Sequence, residues 1–472
     1  MSTGPSQSGK TVVRRVVVVG GGLAGIAAAA ALHSAGIEVT LIEARRELGG
    51  RASSFQDAQT GELLDNCQHV LLGCCTNLLD LYRRLGVAEK IQWQRTVHYL
   101  DADGREFNLW AVGGLPAPLH LGLSMSLFSA LNVRDRIAMT RAMLAMLRMG
   151  RSGREKLEGV TFGQWLKEFH QSDRLIQRFY DPVLISALNE ETRSVSGKYA
   201  IQVFQDAMLA HRRGYVVGLP GCPLEQLYAN RPCPDVRLNT RVDEILFERN
   251  RAVGVKLTSG DQLTADAVVL AVNHHAVTRW IPEFLQAIDG RFGGLEKLET
   301  VPILGVHLWF DRPVMRRGHA ALFEGPLQWL FRKDADGRVL HGVISAAREW
   351  ATTPHAQAIE LFEKQLGRLF SASGAKLVRS RIIVEKRATF SPLPGSDALR
   401  PLQRPPTDGI AGLFLAGDYT RTDWPATMEG AVRSGYLAAE AVVKALQPDG
   451  PEAQFLVPDL SPEWPARLLT RN

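Results

Sequence analysis

Three glycines and an acid are the first residues in this chain whose types and spacing could do chemistry together. Gly20, Gly22 and Gly25 form G-x-G-x-x-G, and Glu43 follows one helix and one strand later. The first glycine permits a tight turn. The second lets main chain approach a pyrophosphate, and the third lets a helix pack closely on a strand. Glu43 can accept hydrogen bonds from both hydroxyls of a ribose. A second group gathers Asp65, Asn66, Gln68 and His69 within five positions, beside the apolar Val70-Leu71-Leu72. That mixture suits a catalytic site, and it also suits a hydrogen-bonded turn feeding a buried strand. A third group lies far downstream. Gly417-Asp418 closes an apolar run, and Met428-Glu429-Gly430-Ala431 opens a segment of helical composition. A helix N-terminus offers N–H groups and a positive dipole end to an anionic group.

The elements that must position these residues can be read around them. Val16–Val19 is a β-branched run, as expected of a parallel strand buried on both faces. Ile26–Ala35 predicts an alanine-rich helix, Gly36 ends it, and Val39–Ile42 predicts the next strand. A lone glycine motif can be a turn in an unrelated α/β protein. Here strand, turn, helix, second strand and terminal acid fall in order, so the fold class is α/β with a Rossmann-like dinucleotide domain. Gly49 and Gly50 add a second side-chain-free stretch beside the dinucleotide, and Arg51 can neutralise phosphate charge. Thr76 onward reads as a helix from Asn77 to Leu85. GLPGCPLEQLYAN, from Gly218, predicts a helix. Val236–Leu238 and Val242–Phe247 predict strands, Ala252–Leu257 and Leu263 a hairpin, and Ala265–Ala271 a buried strand that rejoins the first sheet.

Between these parts lies an insertion. Residues 108–149 are the most apolar region, and Met139, Met143 and Met146 share one helix face. Ordinary core packing explains them. So does an adaptable wall for a greasy substrate, or a surface that dips into a bilayer interface. Strand-like runs at Ile303–Phe310, Gln328–Arg332, Val339–Ser345 and Arg381–Lys386, with a helix at Ala356–Phe370, predict a mixed sheet walling a cavity. The expected division is a leader over 1–13, a dinucleotide domain in three pieces (14–106, 213–275 and 406–448), a helical insert over 107–212, a substrate-domain sheet over 276–405 and a tail over 449–472.

Composition excludes several classes. The chain has 472 residues, 45% hydrophobic and 22% charged, a globular balance long enough for more than one domain. The net charge of +6 is scattered, with no basic tract interleaved with aromatics, so nucleic acid is not an expected partner. Attraction to an anionic membrane and plain solvated faces both remain open for that charge. Cys67, Cys74, Cys75, Cys222 and Cys233 are odd in number and lack metal spacing, which suggests reduced thiols, no metal and a cytoplasmic protein. Gly4–Thr11 matches a phosphate-loop pattern, but a strand follows where that motif needs a helix.

E-A-x-x-x-x-G-G-R at 43–51 and the G-D of Gly417-Asp418 before Thr427–Gly435 resemble the signatures of FAD enzymes of the amine oxidase and phytoene desaturase superfamily. The resemblance implies an FAD domain discontinuous in sequence, with an inserted substrate domain of mixed sheet and helices. It implies cofactor contacts from Gly20, Gly22, Leu23, Ala24, Gly25, Glu43, Ala44, Arg45, Gly50, Arg51, Asn66, Val242, Gly417, Asp418, Met428, Glu429, Gly430 and Ala431. In such relatives the main chain near Val242 meets the adenine, and the segment from Asp65 passes the flavin ring. Within the superfamily, DNCQHVLLG at 65–73 and WPATMEGAVRSG at 424–435 look like the hydroxysqualene dehydroxylases. That group reduces hydroxysqualene to squalene in bacterial squalene and hopanoid synthesis. An acid should protonate the departing hydroxyl. His69 is the first candidate, oriented by Asp65 and Gln68, and Asp423 beside Trp424 the second. The implied partners are a hydrophobic polyisoprenoid substrate, the inner face of the cytoplasmic membrane, and the enzyme that hands over hydroxysqualene. Two rivals stand beside this reading: an oxidative carotenoid-type desaturase or amine oxidase on the same scaffold, and a non-enzymatic prenyl-lipid carrier.

Overall fold

The computed structural model describes residues 14–470, so the leader expected over 1–13, with its phosphate-loop pattern, lies outside the described residues. Arg15–Val19 sits at the centre of a five-stranded parallel sheet in the order Asp235–Arg237, Glu38–Ile42, Arg15–Val19, Ala267–Leu270, Leu413–Leu415. Every residue of Val16–Val19 and Ala267–Leu270 is buried, which explains why these strands read as unbroken apolar runs. The three sequence pieces therefore meet in one sheet. On one side, helix Leu23–Ser34 packs against the last long helix, Met428–Leu446.

A second sheet has seven strands in the order Leu377–Phe390, Thr300–Phe310, Val339–Ile344, Trp329–Arg332, His319–Leu322, Thr96–Leu100, Glu106–Trp110. The mixed sheet is as expected, but its edge is not. The expected boundary at 106/107 cuts through the hairpin of Thr96–Leu100 and Glu106–Trp110, which stays whole and pairs, through Thr96–Leu100, with His319–Leu322 rather than with the dinucleotide sheet. The hairpin also packs with the helical insert, sharing a core with Leu121, Met139, Met143 and Met146. Those methionines are thus core side chains. The helix expected from Gly218 is also corrected. Val217–Pro220 is a strand between Leu71–Leu72 and Ile91–Gln94, and only Leu224–Leu227 coils, as one short 3₁₀ turn. Pro220 and Pro223 remove the N–H groups a longer helix would need there. Among the described residues, no helix is long and apolar enough to cross a membrane.

Candidate active site

The glycine turn is shaped for close main-chain approach. A methyl group on Gly25 would lie 1.9 Å from the Gly20 carbonyl oxygen, so any side chain there would push the helix off the strand. Gly20 has φ +108° and Gly50 φ +61°, conformations that favour glycine. Gly49 N–H donates to the Gly21 carbonyl (2.8 Å), which draws the second glycine stretch against the first. A methyl group on Gly22 would meet only the Gly50 Cα, at 4.0 Å, so space opens in front of the helix start. No side chain caps that start, which leaves the first N–H groups, from Leu23 to Gly25, facing the cradle.

Glu43 is held at the edge of this cradle. Its Oε2 accepts from Gly21 N–H (2.6 Å) and its Oε1 from Arg45 N–H (2.8 Å). Thr240 and Asn239 N–H groups donate to the Glu43 and Arg45 carbonyls, which brings the start of the Val242–Glu248 strand alongside. Arg45 also reaches the Gly50 carbonyl at 3.3 Å. Arg51 is fixed between the Ala388 carbonyl (2.6 Å) and Asp418 Oδ1 (2.7 Å), and the Asp418 carboxylate raises its pKa against the opposing effect of burial. Gly417 N–H donates to Ser434 Oγ, seating Asp418 at the mouth of the parallel sheet.

The helix from Met428 needs a correction at Glu429. Its carboxylate is fully buried and turned away from the cradle. It accepts from Asn77 N–H, Asn77 Nδ2, Leu78 N–H and Arg433 Nε, at 2.8–3.1 Å. Glu429 therefore locks this helix to helix Thr76–Arg84, and only its main chain remains for a cofactor. Gly430 N–H is capped by Thr427 Oγ1, while Met428 and Glu429 N–H groups have no partner among the described residues.

The second group also differs from expectation. Asp65 and Gln68 do not orient His69. Asp65 Oδ1 accepts from Ser54 Oγ and Leu224 N–H, and Oδ2 from Lys333 Nζ (2.8 Å). Those donors hold its carboxyl below the usual range against burial, so Asp65 is an anion. Gln68 Oε1 also accepts from Lys333. His69 Nδ1 instead faces the Cys67 carbonyl at 3.1 Å. An N–H there leaves Nε2 without a proton in the neutral ring. Asp423, the other candidate acid, is exposed to solvent.

Sequence reasoning missed three residues here. Lys333 is the cation that joins Asp65 to Gln68. His307 and His341 face each other across neighbouring strands, with ring centroids 4.2 Å apart. His307 Nε2 donates to the Asp65 carbonyl (2.9 Å). His341 is completely buried, and neither ring nitrogen has a partner among the described residues. A methyl group on Gly305 would lie 2.7 Å from His341 Nε2 and 3.5 Å from the Asn66 carbonyl, so this ring fills the space beside Asn66. Asn66 Nδ2 donates to the Arg51 carbonyl, and its Oδ1 is likewise buried without a partner. Cys67, Phe331 and Val343 form an apolar wall here, flanked by Leu219, Ile303 and Trp329. Burial lowers the pKa of His69, His307 and His341, that of His341 strongly.

Residues 23–443 match the family of flavin containing amine oxidoreductases. The chain belongs to that family. Similar curated members include the 15-cis-phytoene desaturase of Capsicum annuum, 28% identical over 91% of this chain and 78% of that protein. The 15-cis-phytoene desaturase of Synechococcus elongatus is 25% identical, covering 91% and 96% of the two chains. Zeta-carotene desaturase of Synechocystis is 27% identical over 91% and 97%. Among solved structures, an oxidoreductase from Methanosarcina mazei superposes with a TM-score of 0.67 at 18% identity, over 89% of this chain and 98% of that one. Putrescine oxidase bound to putrescine gives 0.67 at 17% identity, over 92% and 99%. This member of the family is an FAD-dependent oxidoreductase. The glycine cradle, Glu43 and the open helix starts are of a kind that fits that cofactor. These curated relatives are 15-cis-phytoene desaturases and a zeta-carotene desaturase, so the narrower likeness to hydroxysqualene dehydroxylases rests on residues 65–73 and 424–435.

Proposed function

We propose that this flavoenzyme reductively dehydroxylates an allylic polyisoprenoid alcohol, hydroxysqualene, to the parent hydrocarbon. One observation carries the reading. Beside the apolar cluster of Cys67, Phe331 and Val343, the buried ring of His341 and the buried Oδ1 of half-buried Asn66 have no hydrogen-bond partner among the described residues. Unpaired buried polar atoms cost about 1–3 kcal/mol each, so they mark a place where a ligand atom completes the bonding. A hydrocarbon with a single hydroxyl matches an apolar wall with one polar spot.

FAD, when bound and reduced, supplies a hydride. His341 holds the hydroxyl and gives it a proton as the C–O bond breaks. Burial keeps this ring neutral at rest, so it must take up a proton together with the substrate before it can act as the acid. The apolar wall keeps out water that would recapture the delocalised allylic cation. Proton and hydride are consumed, a C–H bond replaces C–O, and hydrocarbon and water leave. His69, with its Nδ1 side committed to Cys67, lines the pocket in this reading.

A second reading, desaturation of a phytoene-type hydrocarbon, is favoured by the names of the curated relatives. Anaerobic incubation of the reduced enzyme with hydroxysqualene, followed by product analysis, decides between them. Squalene is the expected product. No squalene, together with desaturation of phytoene by the oxidised enzyme, would overturn the proposal.

A further inference from the structure

Leu115, Leu119, Leu123 and Leu127 recur every fourth residue along helix Leu119–Ser126 and its flanks. That spacing puts them on one face. The face is turned outward: Leu119, Leu123 and Leu127 are 50%, 51% and 61% exposed, while Leu121 and Ser124 point into the core. Helix Val133–Glu155 begins in the same way, with Val133 and Ile137 outward and Met139, Met143 and Met146 inward.

A third apolar element arrives from the other end of the chain. Helix Trp464–Leu469 sets Ala466 into the core that holds Leu121, Phe128 and Met139. The Glu463 carboxylate, just before it, accepts from Ala117 N–H, and the helix packs on Val133–Glu155. Its outer side shows Trp464 and Leu468, 59% and 77% exposed. Residues more than 300 positions apart thus present large apolar side chains side by side.

Along residues 107–154 the exposed charge is basic, and Glu168 is an acid that shares a groove with Arg141 and Arg148. From residue 107 to 154 the sole acid is Asp135, which is buried and accepts from Ser172 Oγ. Arg134, Arg141 and Arg148 are exposed on the same helix.

We propose that these three helices form a docking surface for an anionic lipid bilayer. The leucines enter the acyl boundary, Trp464 lies at headgroup level, and the arginines meet lipid phosphates. A second copy of the chain fits the face less well, because self-association would set Arg134, Arg141 and Arg148 of one copy against those of the other, more cations than the neighbouring Glu168 can pair. The surface rests on helix faces and charge, independently of the reaction assigned to the pocket.

Flotation of the full-length FAD-bound enzyme tests it, with phosphatidylethanolamine–phosphatidylglycerol vesicles against phosphatidylcholine vesicles. Binding is expected to the anionic vesicles and to weaken with salt. The combined Leu119→Ser, Leu123→Ser, Leu468→Ser variant should bind about tenfold more weakly or worse. Arg134→Gln with Arg141→Gln should erase the preference for anionic lipid. Both variants should keep the flavin spectrum of the parent, which reports a folded enzyme. Wild-type protein that stays with the unbound fraction, or a serine variant that floats like wild type, overturns the proposal. So does a dimer that the serine variant turns into a monomer, since the face would then belong to a second copy.

Discussion

Replacing His341 by leucine separates a structural histidine from a functional one. Among the described residues the ring has no hydrogen-bond partner, a state it shares with His120 and His319, so burial alone does not assign it a role. His341→Leu should therefore unfold at no lower a urea concentration than wild type, because it removes two unpaired polar atoms. In the proposed reaction it should lower kcat/KM on hydroxysqualene by about 10²–10⁴, the usual worth of a general acid. His69→Ala should cost far less. A His341→Leu enzyme that reduces hydroxysqualene at the parental rate would sink the assignment. At this scale the sequence was a partial guide. His69 stood out because its polar neighbours are adjacent in sequence, but three of those neighbours bond elsewhere. His341 sits in a strand of ordinary pattern, Val339–Ile344, and only the register that sets it opposite His307 reveals it. Lys333 and the inward turn of Glu429 were hidden for the same reason, since both depend on partners 268 and 352 positions away.

Between elements, one close contact is the crossing of helices Leu23–Ser34 and Met428–Leu446. A methyl group on Gly435 would come within 2.2 Å of the Ala24 carbonyl and 2.9 Å of Ala27 Cβ. Gly435→Val must move the first helix, whose N-terminus forms the pyrophosphate cradle. The expected outcome is a loss of about 1–3 kcal/mol in unfolding free energy together with loss of FAD on gel filtration. Retention of stoichiometric flavin would show that the crossing can relax without disturbing the cradle. The sequence made the parallel sheet and this last helix readable, because periodicity and glycine spacing are local signals. It could not say which sheet the hairpin at 96–110 would join, since both sheets offer an edge and the choice is made by side chains of the helical insert. The helix expected from Gly218 failed on a conflict of local signals, where leucine spacing suggested a helix and two prolines ruled it out.

Across the whole molecule, buried neutral histidines set the response to acid. His120, His274 and His319 lie in three different parts of the fold, and burial lowers each to about 4 from the ordinary value of 6.5. In the unfolded chain each ring regains the ordinary value. Between about pH 6.5 and 4 the unfolded state therefore binds more protons than the folded one, and stability falls as pH falls. The slope is about 1.4 kcal/mol per pH unit for each ring fully in that window. The paired carboxylates of Asp65, Glu190, Asp289, Asp397 and Asp459 are lowered too, so their contribution is lost only further down, as pH drops through the carboxylate range. Loss of stability should thus begin well above pH 5. His319 offers a clean test. It is held down first by burial and then by His98, whose ring is 5.5 Å away, and it stacks near Trp329 and Phe331. His319→Phe keeps an aromatic ring in that stack and removes the titrating group. Unfolding free energies from urea titrations at pH 7 and pH 5 should differ less in the variant than in the parent, by about 2 kcal/mol. Parallel loss in the two proteins would mean that His319 takes up its proton without unfolding, through a local opening of the strand that carries it.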